Sequence, residues 1–254
     1  MTLNGLTCGY DNNNIYLGAT KNIFRRYKMY TESIENYLKA IYEIQKENGK
    51  VSTNSLSERL NVAPASVTSM IKKLSEKKLV THKLYQGVKL TKAGQKISLE
   101  VIRHHRLIEL YLAEALGVPW DQVHEEAEKW EHVLSEDLED RMDAVLGYPT
   151  RDPHGSPIPS RDGTIAELDS IPLADLHSGQ SAVVAEVSDH DPDLLRYIGK
   201  MGLYPKTKFK VLSIEPFNGP IKIKVGDAEH ILGSGAAQYV FVTEVKGSKS
   251  EASQ

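Results

Sequence analysis

Residues 52–91 read "STNSLSERLNVAPASVTSMIKKLSEKKLVTHKLYQGVKLT", and this stretch decides the predicted fold of the N-terminal part of the chain. Residues 52–60 predict a short helix, and the "NVA" that follows them predicts a tight turn. Residues 64–78 predict another helix, which opens at Pro64, where the missing N–H of proline does no harm. Two helices joined by a tight turn indicate a helix-turn-helix.

The segments on either side of this helix pair complete the predicted domain. Residues 79–91 alternate apolar and polar side chains about a Gln-Gly pair, which is typical of a two-stranded hairpin and predicts a wing. Residues 31–47 place apolar side chains at helical spacing and predict an amphipathic first helix. We therefore predict a winged helix-turn-helix domain over residues 29–91. The extension at residues 1–28 is expected to be disordered or to lie upstream of a true start at Met29.

The charge and the side chains of this domain predict DNA binding. Residues 21–100 carry 16 Lys and Arg against 7 Asp and Glu. Short side chains near the start of the 64–78 helix let its backbone approach base edges, while lysines reach phosphates. The alternative is a winged helix used for protein contacts. The predicted DNA-contacting residues are Ala65, Ser66, Thr68, Ser69, Lys72 and Lys73 on the helix, and Lys83, Tyr85 and Lys89 on the wing.

The next part of the chain has the opposite charge. Residues 101–170 carry 6 Lys and Arg against 16 Asp and Glu. A basic segment followed by an acidic one predicts a polyanionic partner for the first and a cationic partner for the second. The alternative is that the two segments neutralise each other across an interface.

Two predicted helices in the acidic segment carry histidines among carboxylates. One helix runs from Thr91 to Gly117 and presents His105 and Glu109 at i and i+4. A second helix is predicted from Pro119 to Leu146 and contains the stretch "HEEAEKWEH" at residues 124–132. Two antiparallel helices with such faces converge six N and O donors, which predicts a metal site; a solvated acidic face is the alternative. The donors that share one face of the second helix are His124, Glu128, Glu131 and His132.

A metalloenzyme is the rival class of function for these residues. The segment "HEEAE" has Glu128 where the zinc-protease motif H-E-x-x-H needs its second histidine, so that chemistry lacks a ligand. The sequence contains neither a nucleophile elbow nor a phosphate-binding glycine loop. A protein without enzymatic activity and without a small-molecule substrate is therefore predicted.

An apolar stripe follows the histidines, and two interpretations of it are equally favoured. It suits either an intramolecular core or the seam of a dimer. We predict a helical metal-binding and dimerisation domain over residues 92–147, with this stripe at the dimer interface. The residues of the stripe are Leu134, Leu138, Met142 and Val145.

The C-terminal part is predicted to be a small β domain. Residues 148–172 are rich in proline and predict a linker, although "DPHGSPIP" is compact enough to pack on another element. Residues 173–246 contain short alternating segments separated by Gly, Pro and Asp, which predict a small β-barrel. Residues 247–254 predict a disordered tail. The predicted fold class is mainly α with a small β domain.

Length and composition place the chain among ordinary globular proteins. It has 254 residues, of which 40% are hydrophobic, and a single cysteine, Cys8. One cysteine excludes an internal disulfide framework, and no apolar run approaches the roughly 20 residues of a membrane span. The polar N-terminus lacks the features of a signal peptide. A cytoplasmic protein without a membrane partner is expected.

Together these motifs resemble the metal-dependent transcriptional repressors of the diphtheria toxin repressor and manganese transport regulator family. The resemblance runs from about Tyr30 to Val245 and is carried by "YLKAIYEI", the winged helix, "RHHRLIE", "HEEAEKWEHVLS" and "DPHGSPIP". It implies a homodimer that binds operator DNA when loaded with Mn²⁺ or Fe²⁺ and that represses metal-uptake genes. The remaining alternative is a winged-helix regulator that answers a non-metal ligand.

The resemblance also implies two metal sites. His105, Glu109 and His124 resemble one of them, to which Asp191 of the β domain corresponds in some members. The other is implied at Glu128, Glu131, His132 and Asn36. Iron-responsive members have cysteine in place of Glu128 and methionine in place of Asn36, so the oxygen donors here resemble the manganese type. Manganese-type members usually carry aspartate where this chain has Asn36.

Overall fold

The computed structural model describes residues 30–83 and 87–247. The predicted extension at residues 1–28, Tyr85 of the predicted wing and all of the predicted tail except Gly247 lie outside the described residues. Within the described part of the chain, no helix is both long and apolar enough to cross a membrane.

The N-terminal domain is a winged helix-turn-helix, as predicted. Its elements are α1 (Glu32–Asn48), α2 (Thr53–Leu60), α3 (Pro64–Glu76) and the antiparallel strands β1 (Val80–Lys83) and β2 (Gly87–Leu90). Ser52 and Ser55 begin α2 with a reciprocal capping box, in which each side chain accepts the backbone N–H of the other residue. Asn61 ends α2 in the left-handed conformation, with φ of 50°, and asparagine tolerates this conformation better than most residues. Local signals therefore produce the turn between α2 and α3.

The helical domain contains three helices where the sequence predicted two. They are α4 (Lys92–Leu116), α5 (Val123–Trp130) and α6 (Glu136–Val145). The prediction of one helix from Pro119 to Leu146 was wrong, because the chain turns after Trp130 and Ser135 caps a new helix by accepting the backbone N–H of Leu138 at 3.3 Å. Acidic residues in the first turn of α6 favour this start, since they complement the helix dipole.

The helix break separates the members of the predicted dimer stripe. Leu134 and Met142 are 4% and 3% exposed and belong to a core formed with α4 and α5. Their burial within one chain corrects the expectation that they form a dimer seam, because they keep little surface for a partner. Leu138 and Val145 are 44% and 71% exposed, and they remain candidates for such an interface.

The predicted linker is partly a packed segment. Residues 152–159 are buried against α4, where Arg106 and Arg103 donate hydrogen bonds to the carbonyl oxygens of Pro157 and Pro159 at 2.6 and 2.9 Å. Arginine side chains thereby satisfy carbonyls that a proline-rich backbone cannot pair within a helix or sheet. "DPHGSPIP" consequently has a fixed place beside the histidines of α4.

The C-terminal domain is an open antiparallel sheet, which corrects the predicted barrel. Its strands are β3 (Ile171–Pro172), β4 (Ser181–Val187), β5 (Lys208–Ile214), β6 (Ile221–Val225), β7 (Ala228–Leu232) and β8 (Val240–Lys246). They follow the order β3-β8-β4-β5-β6-β7, so β3 and β7 are edges that do not pair with each other. Helix α7 (Pro192–Lys200), which the sequence analysis missed, places Leu195 and Ile198 in the core of this domain. The helix therefore covers the apolar side of the sheet, which does not close into a barrel. A 3₁₀ turn (Leu173–Asp175) and α8 (Ser234–Ala237) complete the domain.

Candidate metal centre

The first group of candidate ligands is centred on Glu109. Helix α4 places His105 and Glu109 one turn apart, with 3.0 Å between His105 Nε2 and Glu109 Oε1. Helix α5 adds His124, whose Nδ1 lies 3.1 Å from both His105 Nε2 and Glu109 Oε1. The Glu109 side chain is fully buried, and a buried carboxylate requires such partners. These three predicted residues are brought together.

The C-terminal domain contributes Asp189 to the same group. One ligand atom each from His105, Glu109, His124 and Asp189 lie within 4.8 Å of one another. Asp189 Oδ2 is 3.7 Å from His124 Nδ1. We call these four residues the His105 group.

The predicted ligand Asp191 has a different role. Its carboxylate accepts the backbone N–H groups of Asp193 and Leu194 at 2.8 and 3.3 Å and so caps helix α7. An aspartate directly before a proline at the first helical position is a typical capping sequence, and this signal favours Asp191 as the cap. In the C-terminal domain it is therefore Asp189, and not the predicted Asp191, whose carboxylate lies with the His105 group.

Glu109 also belongs to a second group that sequence reasoning missed. One ligand atom each from Glu109, Asp152 and His154 lie within 4.8 Å of one another, and all three residues are buried. His154 Nε2 lies 2.7 Å from the carbonyl oxygen of Trp120, to which it donates, so Nδ1 faces Glu109. Among the described residues, Glu109 Oε2, Asp152 Oδ2 and His154 Nδ1 have no hydrogen-bond partner. The sequence signal for this group was present in "DPHGSPIP", which places Asp152 and His154 two residues apart in a proline-rich segment.

The electrostatics around Glu109 favour protons on His105 and His154 in the absence of a cation. Burial lowers the pKa of His105, but the charge of Glu109 together with hydrogen bonds to Glu109 and Glu131 raises this pKa to about 10. The pKa of His154 is likewise lowered by burial and raised by Glu109, to about 9. Burial and the charge of Glu109 raise the pKa of Asp152 to about 7. The buried carboxylates thus hold positive charge in place.

In the other predicted site, a lysine side chain binds the Glu131 carboxylate. Lys39 of α1 donates to Glu131 Oε2 at 2.7 Å and lies 3.1 Å from His105 Nδ1. Glu131 Oε1 is 3.3 Å from His132 Nε2, whose Nδ1 lies 2.7 Å from Glu35 Oε2. Glu131 and His132 are therefore brought together, and Glu35 is a neighbour that the sequence reasoning missed.

Two predicted members of this site stand apart. The Glu128 side chain is 59% exposed, and its Oε1 lies 3.7 Å from His124 Nε2 instead of beside Glu131. Asn36 is half-buried, and no hydrogen bond joins it to Glu131 or His132 within the described residues. The predicted face had assumed that one helix continues through His132, whereas α5 ends at Trp130.

The residues predicted to contact DNA are exposed where the structure describes them. Val67, Ile71 and Leu74 form the buried side of α3. The predicted residues of α3 are exposed on its other sides, and so are Lys83 of β1 and Lys89 of β2. The Thr68 hydroxyl donates to the carbonyl oxygen of Pro64 at 3.0 Å.

Comparison with known proteins shows which family this chain belongs to. Residues 29–88 match the iron dependent repressor N-terminal DNA binding domain, and residues 91–160 match the iron dependent repressor metal binding and dimerisation domain. Residues 171–244 match the FeoA domain. Iron-dependent repressor IdeR of Mycobacterium leprae (strain TN) is 32% identical over 192 residues, which cover 71% of this chain and 84% of that protein. The chain belongs to this family of metal-dependent repressors.

Solved structures of similar repressors share the whole architecture. A manganese-dependent transcriptional repressor in complex with manganese is 40% identical, with a TM-score of 0.77, and the match covers 82% of this chain and 98% of that one. ScaR with bound Cd²⁺ is 32% identical, with a TM-score of 0.71. The repressor described here is thus a metal-dependent DNA-binding regulator and not an enzyme. Its DNA-binding and dimerisation domains point to operator DNA and a second copy of the chain as partners.

Proposed function

We propose that the repressor responds to Mn²⁺ and, as a homodimer bound to operator DNA, represses metal-uptake genes. The observation that carries this proposal is the donor set, which consists of carboxylate oxygens and imidazole nitrogens. The only cysteine of the chain, Cys8, is remote in sequence from every candidate ligand. Oxygen and imidazole donors without thiolate suit Mn²⁺, while thiolate ligands favour softer ions. Fe²⁺ is the second candidate, since the relative IdeR is named for iron.

The residues of the two groups around Glu109 fit a divalent cation. Three buried polar atoms there, Glu109 Oε2, Asp152 Oδ2 and His154 Nδ1, have no hydrogen-bond partner among the described residues. Such atoms are costly to bury unless another group compensates them. When bound, a divalent cation supplies the positive charge that these carboxylates otherwise take from protonated histidines. Glu109 offers one oxygen to each group, so it is the residue that joins them.

Lys39 connects the metal-binding residues to the DNA-binding domain. It lies on α1, and its ammonium group holds Glu131 while it also approaches His105. Oε2 of Glu131 can bind a cation only after it gives up this lysine. Because α1 packs against α2 and α4, a change at Lys39 moves the contact between the helix-turn-helix and the helical domain. This contact sets the position of α3, the predicted recognition helix.

The predicted second site remains part of the proposal in a modified form. Glu131 and His132 are in place, and Glu35 is a further oxygen donor beside them. Glu128 and Asn36 stay proposed ligands that must approach Glu131 for the site to be completed. Such an approach is the kind of movement by which a ligand favours one of two conformations.

The proposal is tested by mobility shift of operator DNA, selected from random duplexes by the Mn²⁺-loaded protein. We expect the affinity to rise when chelator is replaced by Mn²⁺, and to rise less with Zn²⁺. Glu109→Gln should lose this response because it removes a charge common to both groups. Glu125→Gln, an exposed change on α5, is the matched control and should respond like the parent. Equal affinity in chelator and in excess Mn²⁺ would favour a regulator that answers a non-metal ligand.

A further inference from the structure

The C-terminal sheet has a row of lysines on its exposed face. The register of the strands aligns Lys246 of β8 with Ser181 of β4, Ser181 with Lys210 of β5, and Lys210 with Lys224 of β6. Neighbouring strands lie about 4.8 Å apart, so three ammonium groups are arranged across roughly 15 Å of sheet. Lys208 and Lys222 extend the row along β5 and β6 and are also exposed. We call these five lysines the lysine face.

The positive charge of the lysine face is only partly compensated. Glu229 of β7 pairs with Lys222 at 2.7 Å and lies directly opposite Lys224 in the strand register, and Glu244 is a second carboxylate close to the row. Lys208, Lys210, Lys224 and Lys246 make no ion pair within 4.0 Å with any residue that the structure describes. Like charges directly opposite each other on adjacent strands are destabilising, and Lys210 faces Lys224 in this way. The arrangement therefore favours an external anionic partner.

Protection of sheet edges does not account for four of these five lysines. Lysine commonly occurs on exposed edge strands, where it prevents pairing with another chain. The edges of this sheet are β3 and β7, whereas Lys208, Lys210, Lys222 and Lys224 lie on β5 and β6, each of which pairs with a strand on both sides. Lys246 lies beyond Phe241 and Val242, the two residues of β8 that pair with β3, so edge protection accounts for this lysine only. A shallow depression of about 300 Å³ lies among Lys208, Lys210, Lys224 and Lys246.

We propose that the lysine face is a second DNA surface of the repressor, which contacts the sugar-phosphate backbone of duplex DNA. Phosphate contacts need positive charge and no particular geometry, and the long flexible stems of lysine supply this. Protein interfaces are depleted in lysine and enriched in Tyr, Trp and Arg, none of which lines the depression. Single-stranded nucleic acid would require exposed aromatic rings, and Phe209, the one aromatic residue in its lining, is buried.

The lysine face adds affinity without sequence specificity. It offers no side chain suited to bidentate recognition of a base edge, so it contributes the same free energy on any duplex. The winged helix would then select the operator, and the C-terminal domain would lengthen the DNA footprint. This inference rests on the proposed DNA binding and goes beyond it by assigning a contact to a domain outside the winged helix.

The test measures how salt changes the affinity of the full-length, Mn²⁺-loaded protein for a mixed-sequence duplex of about 40 base pairs. Each lost phosphate contact lowers the slope of log affinity against log salt by about 0.9. We expect a decrease of about 1 for Lys224→Gln and about 2 for the double variant Lys210→Gln/Lys224→Gln. Lys200→Gln, an exposed change on α7 of the same domain, should have the same salt slope as the parent protein. Thermal unfolding should show that no variant is destabilised.

Other outcomes overturn the proposal in distinguishable ways. Lys72→Gln on α3 serves as the reference for the winged helix. If it lowers the slope while the double variant does not, the lysine face is not a DNA surface, although DNA binding itself stands. If the parent binds no duplex in Mn²⁺, the proposed function fails first. If the salt slope of the double variant equals that of the parent, but light scattering without DNA shows a smaller assembly for the double variant than for the parent, the lysine face binds a protein partner. If inorganic phosphate at constant ionic strength competes with DNA for the parent protein but not for the double variant, the lysine face is a small-anion site.

Discussion

The two sets of candidate ligands differ in what holds them together. The residues around Glu109 are buried or half-buried, and their donor atoms already converge from α4, α5, the 152–159 segment and the C-terminal domain. The residues around Glu131 are held by Lys39, and the exposed Glu128 points elsewhere. A preassembled group is suited to bind a cation with little movement. A group that is held by an internal ammonium and lacks one of its members is suited to couple binding to a change of shape.

The largest expected effect comes from breaking the lysine contact. Lys39→Met removes the ammonium from the buried Glu131 carboxylate and leaves it the His105 imidazole, whose Nδ1 lies 2.5 Å from Glu131 Oε2. Breaking a buried ion pair destabilises a protein by up to about 3–5 kcal/mol. We expect this loss of unfolding free energy in chelator and a smaller loss in excess Mn²⁺, because a cation takes over the compensation of Glu131. Denaturant unfolding under both conditions measures it.

The matched control for Lys39→Met is Lys46→Met on the same helix, where the side chain is exposed. It should change stability by less than about 0.5 kcal/mol. An equal loss for Lys39→Met with and without Mn²⁺ would contradict the view that a cation replaces the lysine at Glu131.

The pH dependence of Mn²⁺ binding sharpens the comparison. His105 and His154 have pKa values raised to about 10 and about 9, so both carry a proton between pH 6 and 8 in the absence of a cation. Each must lose that proton before its nitrogen binds Mn²⁺, so the affinity should rise with pH, about tenfold per unit for each proton released. Isothermal titration in buffers of different ionisation enthalpy counts the protons directly. Binding that is independent of pH between 6 and 8 would exclude both histidines as ligands.

A smaller effect separates Asp189 from Asp191. Asp189→Asn should weaken Mn²⁺ binding by roughly tenfold, because it removes one charged oxygen from the His105 group. Asp191→Asn should leave Mn²⁺ affinity unchanged, and asparagine should preserve most of the cap of α7. Titration of both variants with Mn²⁺ decides between them. The reverse order of effects would restore Asp191 as the ligand of the C-terminal domain.

The smallest expected effect on stability concerns His132, which tests whether the Glu131 group binds a cation at all. His132→Ala should abolish the Mn²⁺ response in operator binding while changing the melting temperature of the metal-free protein little, because its ring partners are the side chains of Glu35 and Glu131. Unfolding in chelator beside operator binding in Mn²⁺ provides the two measurements. A destabilised metal-free protein that still responds to Mn²⁺ would assign His132 to structure.

Much of the fold is encoded in local signals, which sequence reasoning could use. The turn after α2, Pro64 at the start of α3 and the ends of α4 at Thr91 and Gly117 depend on neighbouring residues only. His105 and Glu109 were recognisable as a pair for the same reason, since a helix places i and i+4 side by side. The break after Trp130 was missed, although Ser135 and the acids after it are a local signal, because the apolar spacing continues across it.

The sequence by itself determined the winged helix, the helical carrier of His105 and Glu109, and the kinds of donor available for a metal. Only the tertiary structure decided which donors meet. Asp189, Asp152 and His154 reach Glu109 from segments 43 to 80 residues further along the chain, and Lys39 reaches Glu131 across 92 residues. The physical reason is that periodicity describes neighbours within one element, whereas these contacts depend on how separate elements pack, and no spacing in the sequence records that packing.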